Sequence, residues 1–212
     1  MKNKINESII LRALEWSYEK AISQSFPGIE TAYELAAQFE KEEGPLLAKV
    51  DSLIRHQEAK AAAFGFATGV GGIVTLPIAV PVNLASVLFI QVRMIAAIAI
   101  MNGYDVKDER VKTMMFACLC GSAGSDILKN VGIEMGTKIL SSILTKVSKD
   151  TINKVNAAVS LKILSRFTGI GTVQVGKIVP IFGALISGAF DGLTTHAIGS
   201  FTKKVFMKEK IQ

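Results

Sequence analysis

From residue 61 to residue 92 the chain has no charged side chain at all, 32 positions in a row. That length suits a membrane span. Its content excludes a single straight one, because Gly65, Gly69, Gly71, Gly72, Pro77 and Pro81 fall inside it. At roughly 1 kcal/mol per glycine and 3 per proline relative to alanine, one helix through the run would cost of order 10 kcal/mol. The run is predicted to be a hairpin: an apolar helix ending near Thr68, a non-helical turn within residues 69–81, and a second helix over residues 82–101. Cysteine is scarce too, with Cys118 and Cys120 alone. Two residues apart on a helix they face different ways, which excludes an ordinary disulfide between them and suits small core residues of a reducing compartment. Of the two histidines, His56 lies among charged residues and His196 lacks the cysteine or carboxylate spacing of a metal site, so no metal and no cofactor are expected. The chain contains no G-x-S-x-G, no Walker sequence, and no pair of glutamates in a catalytic setting. Near its start, Glu7, Arg12 and Glu15 interrupt any stretch that could serve as a secretory signal, and a cytoplasmic protein is expected.

Charge is present but divided. Residues 1–110 carry 11 Lys/Arg against 13 Asp/Glu, net −2, whereas residues 111–212 carry 13 against 5, net +8. A basic half suits an anionic lipid surface or nucleic acid. Aromatic residues near the lysines are few, and no RNP, zinc-finger or glycine-lysine phosphate motif accompanies them, which favours lipid headgroups and argues against nucleic acid. A mean hydropathy of +0.39 leaves apolar surface for lipid or a partner protein. Lys138, Lys146, Lys149 and Lys154 are the expected membrane-docking residues, with Lys162 and Arg166 extending the basic surface.

No period-two pattern persists anywhere, and the chain is predicted to be all-α: a compact multi-helix bundle around the apolar hairpin. Expected helices cover residues 5–22, 29–42, 45 into the apolar run, 82–101, 106–130 with Asp105 as N-cap, 137–147, and an apolar region 173–206 broken at Pro180. Asn102-Gly103 should stop the fourth of these, and Thr168-Gly169-Ile170-Gly171-Thr172 reads as a loop. The pairs Gly65/Gly69, Gly132/Gly136 and Gly188/Gly192 have the spacing that lets helices approach closely. The division expected is an N-terminal amphipathic extension at 1–27, a helical domain at 28–206 and a tail at 207–212.

Several polar residues are stranded in apolar helices: Asn83, Gln91, Arg93, Asp126, Lys177, Asp191 and Thr195. Buried charges need partners, so this set is expected to form either an ion-pair network in the interior, with Asp126 or Asp191 beside Arg93 or Lys177, or a polar pocket for a lipid headgroup or other small anion.

The run Gly65-Phe66-Ala67-Thr68-Gly69-Val70-Gly71-Gly72, then Leu76-Pro77, Pro81-Val82-Asn83-Leu84-Ala85, Gln91-Val92-Arg93-Met94-Ile95 and Gly103-Tyr104-Asp105, followed by Gly121-Ser122-Ala123-Gly124, Leu128-Lys129-Asn130-Val131-Gly132, Gly176-Lys177-Ile178-Val179-Pro180 and Asp191-Gly192-Leu193-Thr194-Thr195-His196, resembles the EcsC family of bacterial proteins. The likeness extends over residues 28–206, with Leu161-Lys162-Ile163-Leu164-Ser165-Arg166-Phe167 standing where the family has a more basic, glycine-containing segment. The resemblance implies a neighbourhood, that of an ABC transporter operon linked to protein secretion, without implying a reaction. The function expected is that of a peripherally membrane-associated accessory protein that binds anionic lipid or a membrane-protein partner and has no catalysis of its own. Two alternatives stand beside it: a lipid hydrolase or transferase using Asp126 or Asp191 as acid/base, and a secreted effector that inserts its hairpin into a target membrane.

Overall fold

The computed structural model describes residues 6–23, 29–66, 82–133, 140–168 and 180–207, and the side chains of these apart from 62–66, 82–83, 141, 168 and 180–192. Among the described residues the regular elements are all helices: α1 (Glu7–Ser23), α2 (Ala32–Glu40), α3 (Leu46–Phe66), α4 (Val82–Met101), α5 (Glu109–Cys118), α6 (Ala123–Asn130), α7 (Leu140–Leu144), α8 (Lys149–Thr168) and α9 (Pro180–Phe206). The all-α expectation holds.

Local chemistry sets most of the boundaries. Thr31 caps α2 in a closed capping box, its hydroxyl accepting from the Glu34 N–H while the Glu34 carboxylate accepts from the Thr31 N–H. Thr31→Ala should cost about 1 kcal/mol of global stability, read from the midpoint of urea unfolding. Pro45 precedes α3 and Pro180 opens α9, where a missing N–H is harmless. Asn102-Gly103 ends α4 as expected, with Gly103 at φ 76°. The helix expected over residues 106–130 is instead two. Its N-cap is Asp108, which accepts from the Arg110 N–H, and Asp105 turns back onto the Lys107 N–H. The break comes at Leu119–Ser122, where Gly121 takes φ 57° and the chain tightens through Cys120 N–H to Ala117 and Gly121 N–H to Cys118 bonds. The helix expected over residues 137–147 shrinks to α7 among the described residues.

Helix α4 is the axis of the fold. It packs against α1, α2, α3, α5 and α9, while α8 closes over α5, α1 and α6. By length and composition its window Leu84–Met101 could cross a membrane, but 89% of that window is buried inside the protein. Helix α1, expected as an extension, places Ile10, Ala13, Leu14 and Trp16 in the same core, with the Trp16 ring 6.3 Å from that of Phe89.

Three contacts fix the register of α3 on α9. Asp51 pairs with Lys203, Ile54 meets Gly199, and Glu58 meets His196, so the two helices run antiparallel. Gln91 bonds Thr195, and Tyr104, just beyond α4, stacks edge-on against Phe206. Helices α4 and α9 therefore run parallel, both opposed to α3. The C-terminal end of α3, the start of α4 and the first turns of α9 lie at one end of the bundle. The turn expected within residues 69–81 lies outside the described residues, as do the loop 169–172 and most of the glycine pairs' surroundings. Of those pairs, Gly132 serves a different purpose, terminating α6 at φ 81°. Among the described residues close packing is carried by Gly199, where an added Cβ would lie 2.8 Å from Ile54 Cγ2, and by Gly124.

Candidate functional site

Gln91 and Arg93 stand two residues apart on α4, and a helix turns about 100° per residue, so they face nearly opposite ways. Among the described residues the polar interior is accordingly two clusters. Both side chains are buried, Gln91 at 0% and Arg93 at 2% exposure.

Towards α9 and α8, the Gln91 amide N–H donates to Thr195 Oγ1 at 3.2 Å, and its Oε1 accepts from Arg166 Nη2 at 3.3 Å. Arg166 also donates to the Leu119 carbonyl at 3.3 Å. One guanidinium thus ties the last turn of α8 to α4 and to the carbonyl freed where α5 ends. Arg166, expected on the basic surface, is a half-buried structural cross-link. Beside it, burial pushes the Cys120 thiol up to about 11 despite the nearby Arg166 and Lys162 charges, and burial raises Cys118 further still. Both are free and inert as thiolates at neutral pH.

Towards α3, Arg93 donates from Nη1 to the Glu30 carbonyl and from Nη2 to Gln57 Oε1, each at 3.0 Å. Its Nη1 lies 3.5 Å from Glu30 Oε2, and Lys60 Nζ lies 3.7 Å from the same oxygen. The Phe89 ring covers the guanidinium, 5.3 Å from centroid to Cζ. Burial pulls the Arg93 pKa down and Glu30 partly restores it; a guanidinium stays protonated regardless. Desolvation raises the Glu30 carboxyl, but its own backbone N–H with Lys60 and Arg93 outweigh this, and it sits below its ordinary value. His56 is held below its usual value by burial and by Lys60.

Among the described residues the carboxylate beside Arg93 is Glu30. Asp126, one of the two acids expected there, is exposed on α6 and takes no part in the interior. The side chains of Asp191 and Asn83 lie outside the described residues, as do Lys177 and Lys138. Lys146, Lys149 and Lys154 are exposed as expected, and Lys154 pairs with Asp150 at 2.7 Å one helical turn away. Glu30, Gln57 and Lys60 were missed. Gln57 left a readable signal, since it sits on the buried stripe Val50, Ile54, Gln57, Ala61 of α3, a polar residue where the 3.6 period calls for an apolar one. Glu30 left none; it follows Pro27-Gly28 and reads as a solvated turn acid.

Among the described residues no three His, Cys, Asp or Glu side chains gather in a metal-holding group. No curated protein and no solved structure matches the chain. The model of the EcsC protein family matches residues 18–208, from within α1 to just past α9. The chain belongs to the EcsC protein family.

Proposed function

We propose that the protein is a membrane-associated accessory protein that binds a lipid surface or a membrane-protein partner and does no chemistry of its own. The observation that carries this reading is where the charge-free sequence meets the bundle. The charge-free run 61–92 begins in the last turns of α3 and ends within α4, and a second charge-free run, 178–190, includes the first turns of α9. The described ends of these runs, the last turn of α3, the start of α4 and the first turns of α9, lie at the same end of the bundle, because α3 opposes both α4 and α9. Helix α4 is a poor candidate for lipid contact: it is enclosed by the other helices, and exposing it would strip Arg93 of Glu30 and Gln57. An apolar end with a closed body suits a protein that dips one end into a bilayer instead of spanning it.

The basic C-terminal half adds attraction of roughly 1 kcal/mol for each Lys or Arg that reaches an anionic surface. Lys146 and Lys149 are available for it, and Lys154 less so because of Asp150. The likeness to a family associated with an ABC transporter operon linked to secretion supports a membrane protein as the other class of partner.

Co-sedimentation with anionic vesicles separates the two contributions. Ile73→Glu with Val74→Glu, placed in the charge-free run, should abolish binding at any ionic strength. Glutamine at Lys138, Lys146, Lys149 and Lys154 should weaken binding at low salt and leave the binding that survives high salt unchanged, since screening removes the same attraction. Undiminished binding of the double glutamate variant would refute insertion through this end.

A further inference from the structure

The cluster around Arg93 has more donors than it uses. Arg93 Nε and Gln57 Nε2 are buried without a hydrogen-bond partner, and so is Glu30 Oε2, although it lies between two cations. An arginine–carboxylate pair normally closes to about 2.8 Å, often through two parallel bonds. Here the approach stops at 3.5 Å to Arg93 and 3.7 Å to Lys60. Arg93 is held mainly by a backbone carbonyl and a neutral amide. Among the described residues two cations stand against one carboxylate, a net charge of +1. The three donors are carried by helices, Gln57 and Lys60 on α3 and Arg93 on α4. Glu30 comes from the connection before α2, outside any helix, with its side chain 39% exposed.

We propose that the space between Arg93 and Lys60 is a receptor for a phosphate-type oxyanion, and that Glu30 fills it as an internal, displaceable substitute. The donor count favours this ligand class. A water accepts only two hydrogen bonds, whereas a phosphate presents several oxygens, enough for Arg93 Nη1, Gln57 Nε2 and Lys60 Nζ together. Glu30 can leave by turning its half-exposed side chain outward, which costs no helix. The same chemistry is offered by free phosphate and by the phosphomonoester headgroup of phosphatidic acid. The receptor does not depend on the membrane reading and can be tested without lipid.

The experiment is calorimetric titration of the full-length protein with inorganic phosphate, against chloride as control. Glu30→Gln removes the competing charge and should tighten phosphate binding several-fold, whereas Lys60→Gln should weaken it about tenfold, the order expected for one hydrogen bond to a charged group. Both positions are partly exposed, at 39% and 33%, so both variants should fold; thermal melts check this. Absence of saturable phosphate binding to both the native protein and Glu30→Gln would overturn the proposal, as would equal affinity of Glu30→Gln and Lys60→Gln. If phosphate binds and also displaces the protein from phosphatidylcholine vesicles doped with phosphatidic acid, the receptor takes the lipid headgroup. If it binds without displacing, the receptor takes soluble phosphate. The phosphate titration stands or falls whatever the vesicles show.

Discussion

Arg93→Ala should lower stability by about 3–5 kcal/mol, the cost of breaking a buried charged network by removing one member. The substitution takes away both 3.0 Å bonds to Glu30 and Gln57 and leaves the Gln57 amide, itself 0% exposed, with its oxygen unpaired in the interior. It also leaves a void beneath the Phe89 ring. At about 2–4 °C per kcal/mol for a protein of this size the melting temperature should fall by about 10 °C. Arg93→Met fills the volume and should cost less. Glu30→Gln should cost least, because its side chain is 39% exposed and makes no hydrogen bond to the guanidinium, so solvent screens most of what is lost. The Glu30 pKa is lowered from 4.5 in the folded state. Its small contribution is therefore present above that ordinary value and lost as pH falls through the lower folded one. Equal destabilisation by Glu30→Gln and Arg93→Ala would show that the pair, and not the guanidinium's other bonds, holds this part of the core.

Gly124→Ala should destabilise the protein by about 3 kcal/mol, at the upper end for overpacking, against the expectation from helix propensity. Inside a helix, alanine is better than glycine by about 0.5–1 kcal/mol. At Gly124 that gain is overwhelmed: the new Cβ would lie 2.4 Å from the Ala117 carbonyl oxygen and 2.8 Å from Phe201 Cε1. A phenyl ring can turn aside, but the Ala117 oxygen belongs to the last turn of α5 and accepts the Cys120 N–H bond. Relief would require moving α6 away from α5 and α9. Gly121→Ala makes the comparison: its φ is 57°, yet nothing lies within 4 Å of the added carbon, so only conformational strain of about 1–2 kcal/mol applies. Urea unfolding should rank Gly124→Ala well below Gly121→Ala. The reverse order would mean that the α5–α6 corner is looser than its backbone contact implies.

Much of this protein is decided by the sequence alone. Period-3.6 patterning, Pro45 and Pro180 at helix starts and Asn102-Gly103 at a helix end are local features, and they determined an all-α chain and the limits of α4 at Val82 and Met101. The family was legible for a similar reason, since its glycine- and proline-marked segments occur in order along the chain. The break at Gly121 is also local, but a glycine in a largely apolar stretch does not announce a left-handed turn, and the sequence suggested one helix where there are two. The partner of Arg93 was not legible. Apolar surroundings along the chain favoured Asp126 or Asp191; Asp126 is exposed, the Asp191 side chain lies outside the described residues, and among the described residues the carboxylate that reaches Arg93 belongs to Glu30, 63 positions away. Only tertiary structure decides this, because a charge finds its counter-ion in space, and the distance along the chain carries no information about it. Arg166 makes the same point. Read among lysines it is surface; folded, α8 brings it to the Leu119 carbonyl where α5 ends and to the Gln91 amide of α4.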